Sequence, residues 1–205
     1  MPMTTEPRPE ERCLSFTNTA HWHASAAPYE TIHTYSDLLD WACRIGVLSP
    51  ADAAALGQAA LASPAEAAEV YRRAIALREA IYRLLVGYIH SDPPSEDDLR
   101  LFNQMLWEAR GSLWIQPLGD GFAWAERGGP QQLDRVWWSL AISAADLLTS
   151  GALLPRVGQC ADDRGCGWLF LDMSKNRSRR WCDINDCGNR AKQRRHYQRS
   201  RQGGA

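Results

Sequence analysis

Between Thr34 and Ser150 the apolar residues mostly return every three or four positions, the spacing of helices that bury one face. In "TYSDLLDWACRIGVL" the set Leu38, Leu39, Trp41, Ala42 and Ile45 predicts a first helix, with Gly46 as its stop. "SPADAAALGQAAL" predicts a second, with Ser49 as N-cap and Pro50 in the first turn. "SPAEAAEVYRRAIALREAIYRLLVGYIH" repeats that opening at Ser63 and Pro64. Its Val70, Ala74, Leu77, Ile81, Leu84 and Leu85 form one stripe, which predicts a long central helix. The prolines of "DPPSEDDLRLFNQMLWEAR" end it, and Ser95, followed by acids, caps the next. "QQLDRVWWSLAISAADLLTS" is helical again up to Gly151.

The rhythm breaks in two places. In "SLWIQPLGDGFAWAE" Leu113 and Ile115, then Phe122 and Trp124, alternate around Gly119-Asp120-Gly121, the pattern of a β-hairpin. Residues 13–33 hold no steady period and read as a short segment and loop. The expected body, residues 13–152, is therefore mostly α: about five helices and one small hairpin. Seven of the nine tryptophans (Trp22, Trp41, Trp107, Trp114, Trp124, Trp137 and Trp138) fall in it and are available to fill a core. Residues 1–12, polar and rich in Pro and Glu, are expected to be a flexible terminus.

Charge divides the chain a second way. Net charge is −1, but residues 1–155 carry 11 basic and 19 acidic side chains, whereas residues 156–205 carry 12 basic and 5 acidic. A sign change this sharp predicts two modules with different partners, or a basic tail docked on an acidic body. No window approaches the apolar length that spans a bilayer, and the N-terminus lacks a signal-peptide core, so a soluble cytoplasmic protein without a membrane partner is expected.

In that compartment six cysteines suggest metal before disulfides. Cys160 and Cys166 form one close pair in "CADDRGCGW", and Cys182 and Cys187 another in "CDINDCGN", fifteen residues apart. Two close thiol pairs separated by the length of a hairpin match the needs of one tetrahedral, structural zinc. "GWLFLDMS" reads as an extended strand and "NRSRRW" as the return. A largely polar module of this size gains its order from the metal. Cys13 and Cys43 stand apart and read as ordinary small apolar residues.

"CGWLFLDMSKNRSRRWC" followed by "CGNRAKQRRH" resembles the CGNR zinc finger, named for the tetrad Cys187-Gly188-Asn189-Arg190. "FTNTAHW", "TYSDLLDWACRIGVL", "ALREAIYRLL" and "AADLLTS" resemble the ABATE-type domain that precedes that finger. The resemblance implies a stress-induced transcription regulator whose C-terminal finger, residues 156–201, binds zinc through Cys160, Cys166, Cys182 and Cys187 and contacts DNA; the composition after Cys187 predicts that the finger ends in a basic helix.

The basic residues suit that role. Arg177, Arg179, Arg180, Arg190, Lys192, Arg194, Arg195 and Arg199 are the candidate nucleic-acid contacts, because clustered cations neutralise phosphates and release counterions. From Cys187 to Arg199 the chain has no proline and almost no apolar face. On a helix Arg190, Arg194, Tyr197 and Arg201 line one side, and Lys192, Arg195 and Arg199 another. DNA is favoured by the resemblance alone. RNA stays open, because Trp181, Tyr197 and arginines stack on unpaired bases. The competing readings are a merely solvating tail and a zinc-stabilised protein adaptor. Asn18, Thr19, Trp22 and Arg44 are candidates for an effector pocket in the body, against the plainer reading that Asn18 and Thr19 close a nearby helix. The body is expected to sense a ligand or form a homodimer. His21 and His23 in "HWH" are a weak metal pair without a third ligand. No Walker loop, G-x-S-x-G or H-E-x-x-H occurs, and a four-cysteine zinc has no open position, so no enzyme is expected.

Overall fold

The computed structural model describes residues 7–126, 129 and 131–202; the side chains of Glu126, His196, Gln198 and residues 200–202 lie outside that description. A single 3-10 turn, Pro9–Glu11, leads into α1 (Arg12–Thr17). Ser143 donates to the carbonyl of Pro9 at 2.7 Å and accepts from the amide of Cys13 at 3.1 Å. Residues 9–12, expected to be flexible, are instead anchored where backbone polar groups find partners on the core helix, and residues 1–6 of that expected terminus lie outside the described residues. A short ladder, β1 (Ala20–His21) with β2 (Tyr29–Glu30), follows. Neither α1 nor this ladder was visible in the sequence.

The predicted helices form where their caps allow. α2 (Tyr35–Arg44) starts at a reciprocal cap: Asp37 N–H donates to Thr34 Oγ1 at 3.1 Å, and Thr34 N–H to Asp37 Oδ2 at 2.9 Å. It ends where Gly46 takes φ +71°, with the Val47 amide on Ala42 O at 2.8 Å and the Gly46 amide on Cys43 O at 3.1 Å. α3 (Pro50–Ala62) begins under the Ser49 hydroxyl, and α5 (Glu96–Gly111) under that of Ser95. α4 (Pro64–His90) is the long central helix, and all six residues of its predicted stripe are buried.

α6 (Arg135–Thr149) packs on α1 and α5, with Trp137 fully enclosed. Of the seven body tryptophans, only Trp41, Trp137 and Trp138 are buried. Trp107, Trp114 and Trp124 face outward, the last two on the antiparallel hairpin β3 (Leu113–Leu118) and β4 (Gly121–Glu126). Trp22 lies against the thiol cluster described below. Among the described residues no helix is long and apolar enough to cross a membrane.

After a turn at Leu154–Arg156, β5 (Val157–Gln159) pairs antiparallel with β6 (Leu169–Leu171), Val157 opposite Leu171. "GWLFLDMS" thus supplies a strand as expected, but its partner lies before the first cysteine pair. "NRSRRW" forms no strand. Val157, Leu169 and Leu171 join the core built by the helices, although the charge break falls just before them. Asn18 fixes the joint: its Nδ2 donates to Leu169 O and its Oδ1 accepts from Leu169 N–H, both at 2.8 Å. One side-chain amide thereby acts as a neighbouring strand for the outer edge of β6. The chain ends with α7 (Asn189–Gln202), entered through a wide turn at Ile184–Gly188.

Candidate metal centre

Cys160 follows β5 directly, and Cys166 closes the next loop. Cys182 and Cys187 flank the start of the wide turn, where the Gly188 amide reaches Asp183 O at 3.0 Å. These four Sγ atoms lie within 4.8 Å of one another, with Cys166–Cys182 at 3.7 Å and Cys182–Cys187 at 3.6 Å. A regular tetrahedron with Zn–S bonds of about 2.3 Å has S···S edges of about 3.8 Å, so the cluster fits one zinc ion. None of the four is in a disulfide. As bare thiols they would frustrate one another. Donation from Cys166 and Cys182 pulls the Cys160 thiol down, the same contacts push Cys166 and Cys182 up, and burial pushes Cys187 up. A dication removes that conflict by ionising all four.

The first loop is pressed onto the body. Gly167 takes φ +68°, and a Cβ there would stand 2.5 Å from Ala24 N and 2.8 Å from the Tyr82 hydroxyl. Only glycine permits that approach. Across the seam the amides of His23 and Ala24 donate to Cys166 O and Gly165 O at 3.0 and 3.2 Å. The Trp168 indole donates to Ala20 O at 3.2 Å, and Gln159 to the Tyr82 hydroxyl at 2.9 Å.

The CGNR tetrad resolves into four roles. Cys187 is a ligand. Gly188 lies under Ile184, whose Cδ1 would be 3.0 Å from an added Cβ. Asn189 Nδ2 donates to Asn185 O at 2.9 Å, bracing the wide turn. Arg190 Nη2 donates to Cys187 Sγ at 2.8 Å, while its other nitrogens meet Asp162 and Asp186. A guanidinium on a ligand sulfur offsets part of the charge of four thiolates.

Asp162, which the sequence reading missed, organises this end of the molecule. Its side chain is wholly enclosed and meets Arg164, Arg190 and Arg194 at 3.1–3.4 Å. Burial pushes its carboxyl up, but the Arg164 amide and the guanidinium groups of Arg164 and Arg194 outweigh that and hold it well below the carboxylate range. Its place between the two cysteines of the first pair was the available signal. Arg194 also pairs with Asp163. The acids that hold α7 thus belong to the finger itself, not to the acidic body. Arg164 and Arg190 further lie over the Trp22 ring, at 5.0 and 5.3 Å from its centroid.

The eight candidate nucleic-acid residues therefore separate. Arg190 and Arg194 turn inward to the carboxylates. Arg179 is tied into the loop: its amide donates to Asp172 at 2.9 Å, its guanidinium to Trp181 O at 3.0 Å and to Cys182 O, and it lies over Phe170. Arg177, Arg180, Lys192, Arg195 and Arg199 are exposed. Arg180 from the loop and Arg195 from α7 share the Trp181 ring, at 5.4 and 6.0 Å, so loop and helix cations meet at one side chain. Tyr197 is 64% exposed, and the side chain of Arg201 lies outside the described residues.

The four residues expected to form an effector pocket do not assemble. Asn18 is spent on Leu169. Thr19 is buried, donating to Phe16 O at 2.7 Å and accepting from Arg78 at 3.0 Å. Trp22 packs on the thiol cluster, and Arg44 is exposed at the end of α2. The amides of Asn18 and Thr19 close α1 on Leu14 O and Phe16 O, and the Asn18 side chain, which neither reading had placed, carries the seam to Leu169. His21 sits edge-on to Trp168, and His23 stacks on Tyr82 at 3.6 Å with Nε2 2.9 Å from Glu79. Neither joins a metal-binding group among the described residues. The sequence reading also missed Arg78, 3% exposed, which pairs with Glu30 at 2.6 Å and Glu79 at 2.9 Å beneath this seam.

Against known families, a model described as "Putative stress-induced transcription regulator", the ABATE domain, matches residues 10–151. A second, the CGNR zinc finger, matches residues 156–200. No curated protein matches the chain.

Proposed function

The chain belongs to the ABATE family and carries its CGNR zinc finger, and from that premise we propose that it regulates transcription by binding duplex DNA through the finger. One observation carries the reading. Once Asp162, Asp163 and Asp186 have drawn Arg190 and Arg194 inward, Lys192, Arg195 and Arg199 remain exposed at helical spacing on α7, and Arg195 meets the loop cation Arg180 over Trp181. This stripe can neutralise successive phosphates, on a chain whose body is net acidic and repels them. The inward pair orients the helix instead. The zinc is structural: four thiolates complete its tetrahedron and leave no place for water, and no catalytic role is assigned.

The test is fluorescence anisotropy on duplex DNA across a salt series, with zinc-loaded protein. Alanine at Lys192, Arg195 or Arg199 should weaken binding to all sequences alike and lower the salt slope by roughly one unit each. Alanine at Arg190 or Arg194 should act mainly through stability and zinc retention. If wild type binds no duplex at low salt, or the triple alanine variant binds as wild type does, the DNA reading is wrong. Single-stranded RNA, for which exposed Tyr197 beside the arginines is suited, is then the next ligand to try.

A further inference from the structure

Among the described residues the β3–β4 hairpin is a two-stranded sheet with no third strand, and every residue of β3 beyond Leu113 is exposed. Such a ribbon has little stability of its own. It turns through Gly119-Asp120 with Leu118 opposite Gly121, and Gly119 takes φ +58°, the two-residue turn that wants glycine first. The register puts Ile115 opposite Trp124 and Pro117 opposite Phe122, so these four share one face. That face is apolar and open: Ile115 is 53%, Phe122 79% and Trp124 70% exposed.

We propose that this arm is where the chain associates with a second copy of itself, the two arms packing face to face about a twofold axis. The size fits. With ~150–250 Å² for a whole aromatic side chain, the exposed fractions leave roughly 350–450 Å² of this face open per chain. Two such faces bury about 700–900 Å² when fully covered, the size of a weak, concentration-dependent association. Charge favours self over a charged partner. From Leu113 to Glu126 the ionisable residues are two acids, Asp120 at the turn and Glu126 at the base of the hairpin, and none lies between Leu113 and Leu118 or between Gly121 and Ala125. Residues 1–155 carry 19 acidic and 11 basic side chains, and the middle of this arm, its two acids lying at the turn and the base, is where a second copy meets little repulsion. Pro117 removes an outward N–H from β3, so that edge does not invite another strand and the face remains. A twofold contact needs nothing beyond the same patch meeting itself. The inference stands on the arm alone, so it and the nucleic-acid reading fail separately.

The test is analytical ultracentrifugation of the full zinc-loaded chain, 23.0 kDa, from roughly 1 to 200 µM, the range that an interface of this size calls for. A concentration-dependent dimer is expected, with a blue shift of tryptophan emission as Trp124 leaves water. Phe122→Asp and Ile115→Lys, on opposite strands of one face, should each weaken the dimer roughly 30-fold or more, the scale of a central aromatic anchor. Gln116→Lys, on the other face, should leave it unchanged, and far-UV circular dichroism should match wild type in all three. A wild type that stays monomeric throughout overturns the proposal. So does a dimer that survives both face substitutions, or one lost equally with Gln116→Lys.

Discussion

Replacing Asn18 with leucine keeps the side chain's size and removes both of its bonds to β6. Leu169 is 1% exposed, so its N–H and C=O cannot turn to water in compensation. Each buried backbone group left without a partner costs about 1–3 kcal/mol, so the loss of two should cost about 2–6 kcal/mol. For a chain of 205 residues, 1 kcal/mol is worth roughly 2–4 °C in Tm, and the midpoint should fall by about 4–24 °C. Because β6 begins three residues after Cys166, the same change should speed zinc release to a colorimetric chelator. Calorimetry and chelator kinetics on one preparation make the test. If Asn18→Leu melts within about 1 °C of wild type and releases zinc no faster, Asn18 is not what holds the finger to the body.

Elemental analysis should find about one zinc per chain, as a single four-ligand site requires; Cys182→Ser should lose it, and Cys43→Ser should keep it. A chain ending at Ser150 lacks Val157, Leu169 and Leu171, which contribute roughly 1.5–3 kcal/mol each when buried. Its urea midpoint should therefore fall well below that of the full chain, and an unchanged midpoint would mean the body is independent. Acid should unfasten the Arg78 cluster. Burial pushes the Glu30 carboxyl up, but the Arg78 guanidinium and the Ile32 and Thr31 amides outweigh it and hold it below its ordinary value. The stability it adds is present above the unfolded-state value and lost as pH falls through the folded one. The Tm difference between wild type and Glu30→Gln should therefore shrink below about pH 4.3. A difference that stays constant from pH 6 downward would show that Glu30 does not titrate against the fold.

What was legible in the sequence was local. Ser49, Ser95 and Gly46 marked helix ends because a cap acts within a few residues, and the α4 stripe showed because one helix face meets one core. The four cysteines were legible because a metal needs donors of one kind, closely paired. What escaped depends on distant partners. "GWLFLDMS" alternates like a strand whichever strand it joins, and its mate proved to be Val157–Gln159. α1 is six residues long, too short for a period to show, and it holds only through packing. The tryptophans Trp107, Trp114 and Trp124 counted as core by type, yet exposure is decided by what covers them. On α7 the sequence set Arg190 and Arg194 on one side and Lys192, Arg195 and Arg199 on another, and the first two turn inward while the last three are exposed. It could not say which side faces inward, because Asp162 lies 28 residues before Arg190.

The bond between Asn18 and Leu169 spans 151 positions of the chain. During synthesis at about 5–20 residues per second, Asn18 waits roughly 8–30 s for its partner to exist. Until then the body is built around an empty slot, and the last piece to fill it arrives carrying the thiols. Completion of the body is thus tied to the final stage of chain growth and, through Cys166, to metal capture.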